Sequence, residues 1–193
     1  MEYQNYIVTR TIDDERNRSW FEVLPMYVSG RERKMLSELM DVFISERFNW
    51  HSSYAQVERG ISSDIYTERF IKEMEDGELY YYIPHIVDKY KLISIIRYAS
   101  FIPDGYVQKQ IKDEKICYRI YGEIIMDVQS MDKTVSFQNE LFLEGSNSIA
   151  FWIYVTEENE KYKIDGWYEM IQNGQERLIV PYWGQNYESN DQL

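Results

Sequence analysis

The chain has very few of the residues that build most metal, disulfide and redox sites. Cysteine occurs once, as Cys117, and histidine twice, as His51 and His85, in 193 residues. A single cysteine cannot form an intrachain disulfide, and zinc sites need several cysteine and histidine ligands at short spacing. We therefore expect no metal ion and no other cofactor, and a chain suited to a reducing compartment.

Long apolar runs and nucleotide-binding motifs are also missing. The most apolar stretch, residues 92–102, is interrupted by Ser94, Arg97 and Ser100. It is shorter than the roughly 20 residues that a membrane helix needs. The first ten residues lack the basic start and apolar core of a signal peptide, so we expect a cytoplasmic protein without membrane contact. The absence of a glycine-rich phosphate loop and of a Gly-x-Ser-x-Gly motif argues against nucleotide and serine-hydrolase chemistry.

Basic residues are scarce relative to acidic ones. The 21 Lys and Arg residues stand against 33 Asp and Glu residues, a formal net charge of -12, and the excess is present in both halves of the chain. A spread negative field disfavours binding to nucleic-acid backbones. It favours either a basic protein partner or simply solubility.

Aromatic residues are abundant. There are 18 Tyr, 8 Phe and 5 Trp, which together make 16% of the chain. Tyrosine and tryptophan combine an apolar body with a polar tip, which suits half-buried sheet faces and protein interfaces. The composition therefore predicts a β-rich core with aromatic residues at its rim.

The first third of the chain carries helical signals. Ser29 and Glu32 form a capping-box pattern before an apolar run at helical spacing, which predicts a helix over about 31–47. A second helix is expected from Ser63 or Asp64 to a glycine cap at Gly77. Residues 86–102 suit either a helix followed by a strand or one long strand.

From Cys117 onward, apolar residues alternate with a period of two, as in half-buried strands. Short polar turns link the runs, as in antiparallel hairpins. Helices followed by such strands predict an α+β fold, with N-terminal helices packed on a curved antiparallel β-sheet. We divide the chain into an N-terminal extension (1–30), one α+β domain (31–183) and a tail (184–193). The core-facing runs are Tyr118 to Val128, Val135 to Leu141, Ile149 to Val155 and Tyr162 to Met170, with an edge strand expected at Leu178 to Tyr182.

Three segments carry a family resemblance. Residues 62–70 (SSDIYTERF) resemble a short helix that sets an aromatic residue into a pocket, and residues 150–156 (AFWIYVT) with 160–168 (EKYKIDGWY) resemble a closing hairpin. Over about residues 31–172 the chain resembles the cone-shaped domains of the nuclear transport factor two-like (SnoaL-like) superfamily. The resemblance implies a cone-like pocket that could take a small apolar ligand, and we assign to it Tyr66, Phe70, His85, Tyr118 and Tyr168.

That superfamily contains isomerases, cyclases and dehydratases that use a carboxylate or histidine in the cone, and it also contains catalytically silent binding proteins. Fold alone does not choose among these functions. No catalytic motif of an enzymatic branch matches this chain, so no catalytic residue is assigned.

The second face of the predicted sheet differs from an ordinary solvated face. Large aromatic residues share it with carboxylates, whereas a solvated face carries mostly Thr, Lys, Glu and Ser. Aromatic enrichment is typical of interfaces, and charges around them steer association. The set comprises Trp152, Tyr154, Trp167, Tyr121, Glu123, Asp127 and Asp165, beside Arg119, Ile125, Glu140 and Ile171. Either this face binds a partner, or the first 30 residues or the tail fold back over it.

The leading interpretation is a non-catalytic binding module that acts through a protein partner or by homodimerisation. Two alternatives stay open. One is an isomerase or dehydratase that uses the cone pocket; the other is an acidic inhibitor, such as an immunity or anti-defence protein that blocks a basic site on a toxin or nuclease.

Overall fold

The structure is a computed structural model that describes residues 26–50, 62–77, 82–100, 107–112, 114–134, 142–173 and 176–182. For residues 77, 82–83, 168–173 and 176–182 only the backbone is described. The expected strand at 135–141, the tail, His51, Glu140 and most of the N-terminal extension lie outside these ranges.

The first helix confirms the capping-box prediction. Helix α1 spans Gly30–Phe48, and Ser29 is its N-cap. The Ser29 hydroxyl accepts a hydrogen bond from the Glu32 amide at 3.2 Å, and the Glu32 carboxylate accepts one from the Ser29 amide at 2.7 Å. These two bonds satisfy amide groups that the first helical turn leaves without partners.

The second helix starts later than its sequence pattern predicts. Helix α2 spans Glu68–Gly77, and Thr67 caps it by accepting a hydrogen bond from the Phe70 amide at 3.2 Å. The expected start at residue 63 or 64 is wrong because the chain before Thr67 pairs with the sheet instead. Ile164 donates its amide to the Ile65 carbonyl at 2.7 Å and accepts the Thr67 amide at 3.0 Å.

Of the two interpretations of residues 86–102, the helix followed by a strand is correct. Helix α3 spans Tyr82–Tyr90, with Pro84 in its first turn, where a missing amide hydrogen costs nothing. Lys91 has a φ of 48° and turns the chain into strand β1, Leu92–Ser100. Strand β2, Val107–Lys112, was not predicted from the sequence.

The strands of the described residues belong to one curved, unclosed antiparallel sheet. The long strand β3, Lys115–Ser130, pairs along one edge with β2 near its start and with β1 near its end. Its other edge pairs with β4, Gly145–Glu158, which pairs in turn with β5, Lys161–Asn173. Strand β6, Glu176–Tyr182, completes the order β1-β3-β4-β5-β6.

A bulge in β5 changes which residues face the core. Tyr154 of β4 pairs with Gly166, and the next residue, Val155, pairs with Ile164, so Asp165 is an extra residue without a partner in the β4 register. An extra residue in one strand shifts the two-residue alternation by one position. Ile164 and Trp167 therefore both face the core, although they are three positions apart.

The helices cover one face of the sheet, which confirms the predicted α+β class. Phe43 of α1 makes edge contacts with Phe151 and Trp167, at ring-centroid distances of 5.8 and 5.2 Å. The strand residues buried on this inner face are Tyr118, Ile120, Ile124, Met126, Val128, Ile149, Phe151, Ile153, Val155, Ile164 and Trp167. In the part of the chain that the structure describes, no helix has the length and apolar character needed to cross a bilayer.

Candidate functional site

The sheet face away from the helices, here called the outer face, is defined by alternate residues of β3: Arg119, Tyr121, Glu123, Ile125 and Asp127. Residues paired across an antiparallel sheet point to the same side. The register therefore adds Ile95, Tyr98 and Ser100 of β1, Gln108 of β2, and Ser148, Ala150, Trp152 and Tyr154 of β4 to the outer face.

Apolar side chains on the outer face are exposed to solvent. The exposed fraction is 44% for Ile95, 51% for Tyr98 and 40% for Ile125. Tyr98 and Ile125 are register partners, and Ile95 lies one bulge away on the same strand as Tyr98. Three exposed apolar residues thus lie in neighbouring rows of two adjacent strands, and such groups on a protein surface are typical of contact sites.

Next to this group, three side chains form a stack. The rings of Tyr121 and Trp152 lie 5.0 Å apart, and the guanidinium carbon of Arg119 lies 4.4 Å from the centre of the Trp152 ring. Arg119 is only 2% exposed and donates from Nε to the side-chain oxygen of Gln108 at 2.6 Å. Trp152 is thereby held in place while it remains partly exposed.

Two of the sequence-predicted carboxylates are tied to cations of the same chain. Asp127 pairs with Arg97 at 2.7 Å. Asp165 accepts hydrogen bonds from Thr67 at 2.6 Å and from Arg69. Glu123 differs because it is exposed, and its hydrogen-bond donor is the hydroxyl of the neighbouring Tyr121. Among the predicted carboxylates that the structure describes, Glu123 is therefore the one that still suits the steering of a partner.

The expected placement of Trp167 on the outer face is wrong. The bulge at Asp165 turns Trp167 inward, and its side chain is fully buried. The Tyr66 ring stacks on it at 5.5 Å, and the Phe70 ring meets it edge-on at 5.2 Å. Tyr154 does lie on the outer face, but it is only 7% exposed and cannot form the centre of a contact.

The residues assigned to a pocket lie in different settings. Tyr66, Phe70 and Tyr118 are each fully buried, and the first two pack directly on Trp167. His85 lies exposed on α3. The side chain of Tyr168 is outside the described part, although its backbone pairs with that of Trp152.

A polar cluster on the inner side of the sheet was not predicted from the sequence. Tyr118 donates a hydrogen bond to the Glu32 carboxylate at 2.6 Å, Lys109 forms an ion pair with the same oxygen, and Tyr162 lies 2.9 Å from the Tyr118 hydroxyl. Burial opposes the charge on Glu32, but the bonds from Lys109, Tyr118 and Ser29 outweigh it and lower the pKa of Glu32 to about 2. Burial and the bonds with Glu32 and Tyr162 raise the pKa of Tyr118.

The cluster joins helix α1 to the sheet. Its four side chains come from α1, β2, β3 and β5, so no local sequence pattern could reveal it. The capping-box glutamate was the only signal, and it indicated a helix start rather than a tertiary contact.

Cys117 lies half-buried on β3, with its sulfur 3.6 Å from the Thr156 hydroxyl. Burial raises the pKa of its thiol, which disfavours the reactive thiolate. Within the described ranges, no three His, Cys, Asp or Glu side chains are grouped so that they could hold a metal ion.

Comparison with protein-family models, with curated proteins and with solved structures found no match to this chain. The assignment of the candidate site therefore rests on the geometry of the described residues. The resemblance to the nuclear transport factor two-like superfamily stays an expectation.

Proposed function

We propose that the chain is a non-catalytic binding module that contacts a protein partner through the outer face of its sheet. The observation that carries the proposal is the exposure of Ile95, Tyr98 and Ile125 on a sheet face. Large apolar side chains at this level of exposure gain free energy when a partner removes them from water, at about 25 cal/mol per Å².

The neighbouring stack supports the same function. Trp152 is fixed by Arg119 and Tyr121 before any partner arrives. An aromatic side chain that is already ordered loses little conformational entropy on binding, and tryptophan is the residue type most enriched at the energetic centres of interfaces.

The inner face gives less support to an enzyme. A general acid or base must reach its substrate, whereas Glu32 and Tyr118 are bound to each other and Tyr118 is fully buried. The lowered pKa of Glu32 and the raised pKa of Tyr118 also hold both groups in one protonation state near neutral pH. The cluster suits a structural role.

A differential capture experiment tests the proposal. The wild-type chain and the double variant Tyr98→Ser, Ile125→Ser are used to capture proteins from the native host, beside Val42→Ser, which alters a 43%-exposed residue on helix α1. We expect a protein that wild type and Val42→Ser retain and the double variant loses, with all three chains equally stable. A capture pattern that is the same for all three overturns the proposal.

A further inference from the structure

We propose that the outer face receives an arginine or lysine side chain of a basic protein partner beside Glu123, in a trough between two rows of larger residues. This inference rests on the proposed function and names the chemistry of the partner.

The trough follows from the strand register. Glu123 pairs with Ala150 on one side and with Ser100 on the other, so the two positions directly beside it hold small residues. One neighbouring row contains Tyr98 and Ile125, and the opposite one contains Tyr121 and Trp152. Rows on one face of a sheet are about 7 Å apart, so the two walls are separated by roughly 14 Å.

This geometry suits a cation. A guanidinium or ammonium group that enters the trough meets the carboxylate of Glu123 at its centre and aromatic rings at its sides, and both attract a positive charge. The Trp152 ring already accepts the guanidinium of Arg119 on one of its sides, which shows that its setting favours such a contact. The hydroxyl of Tyr121 donates to Glu123 and orients the carboxylate.

Charge argues against a second copy of this chain as the occupant. A two-fold interface would need a cation on the same face to meet Glu123. The described cations nearest to Glu123 on this face already have other contacts: Arg97 pairs with Asp127, and Arg119 is 2% exposed beneath Trp152. The net charge of -12 adds repulsion between copies and attraction for a basic protein.

A titration with a defined probe tests the inference. The probe is a 12-residue synthetic peptide that alternates arginine with valine, and its control is the same peptide with citrulline in place of arginine. Binding is followed by NMR through the Trp152 indole and the Tyr121 ring. Glu123→Gln is compared with Glu38→Gln, which removes the same charge from the exposed surface of α1.

We expect the arginine peptide to shift the Trp152 and Tyr121 signals and the citrulline peptide to have little effect. Glu123→Gln should weaken binding about tenfold or more, the usual loss for one charge-assisted hydrogen bond, and Glu38→Gln less than about twofold. Equal losses in the two variants would mean unspecific attraction by net charge, and no shift at all would mean no cation site; either result overturns the inference.

The oligomeric state, measured by sedimentation, distinguishes failure of this inference from failure of the proposed function. A dimer that Tyr98→Ser, Ile125→Ser disrupts would make a second copy the occupant and overturn the inference, while the outer face would remain a protein contact. A monomer at both low and high salt is the expected result.

Discussion

The hydroxyl of Tyr118 donates a hydrogen bond to the carboxylate of Glu32 across 2.6 Å, and this bond joins strand β3 to the first turn of helix α1. The same carboxylate completes the capping box and pairs with Lys109. One side chain thus stabilises a helix end and the packing of that helix on the sheet.

Glu32→Gln should destabilise the protein by about 2–3 kcal/mol at pH 7, because it leaves Lys109 and Tyr118 in a largely buried site without the charge they bind. The free energy of unfolding in urea measures the change. Glu38→Gln is the matched control, and we expect it to cost less than about 0.5 kcal/mol because the Lys34–Glu38 pair is exposed.

At acid pH the difference in unfolding free energy between wild type and Glu32→Gln should disappear. The pKa of Glu32 falls from an ordinary 4.5 to about 2 on folding, so the folded state binds this proton less readily than the unfolded state. The contribution is therefore complete above about pH 4.5 and is lost as the pH falls toward 2. Urea unfolding of wild type and Glu32→Gln between pH 7 and pH 2 checks this; a stability difference that stays constant over the range contradicts it.

Leu39→Ala should cost about 2–5 kcal/mol, the usual range for a buried leucine. Leu39 is 8% exposed on α1, whereas Val42, three positions later, is 43% exposed. Val42→Ala should therefore change the stability by less than about 0.5 kcal/mol. Thermal and urea unfolding of both variants decide whether α1 packs on the sheet as described.

The two tryptophans should respond in opposite ways. Trp167→Ala should cost about 3–5 kcal/mol because it empties a buried site. Trp152→Ala removes a partly exposed ring that contacts Tyr121 and should cost only about 1 kcal/mol, while it impairs partner binding. Melting temperatures and binding are measured on both variants. If Trp152→Ala melts as low as Trp167→Ala, the outer face is covered by the chain itself.

Thr67→Ala should cost about 1 kcal/mol, the typical loss for an N-cap residue. The hydroxyl of Thr67 accepts from the Phe70 amide and donates to Asp165, so its removal affects both the start of α2 and the bulge in β5. Thr67→Ser keeps the hydroxyl and should retain most of the stability in urea unfolding. Equal losses in the two variants would assign the effect to the methyl group instead.

The sequence by itself determined the features that depend on short stretches of chain. Ser29 and Glu32 are three residues apart, so the start of α1 could be predicted from local chemistry alone. The alternation from Tyr118 to Val128 and from Ile149 to Val155 depends only on the two-residue period of a strand, and the predicted inner faces of β3 and β4 are the observed ones.

Only the tertiary structure decided what depends on contacts between distant residues. The start of α2 at Glu68 depends on Ile164, nearly one hundred residues later, because the backbone of that residue occupies the hydrogen-bonding groups of Ile65 and Thr67. Strand β2 and its Lys109 acquire their role only through β3 and Glu32.

The direction of the Trp167 side chain is the clearest feature that only the tertiary structure decided. The alternation of β5, continued without interruption, places its indole on the outer face. One extra residue at Asp165 reverses that direction, and Thr67 and Arg69 of another segment hold Asp165 there. A periodic pattern cannot report such a shift, because the free energy that favours the bulge comes from the packing of Trp167 among Phe43, Tyr66 and Phe70 and from these side-chain bonds.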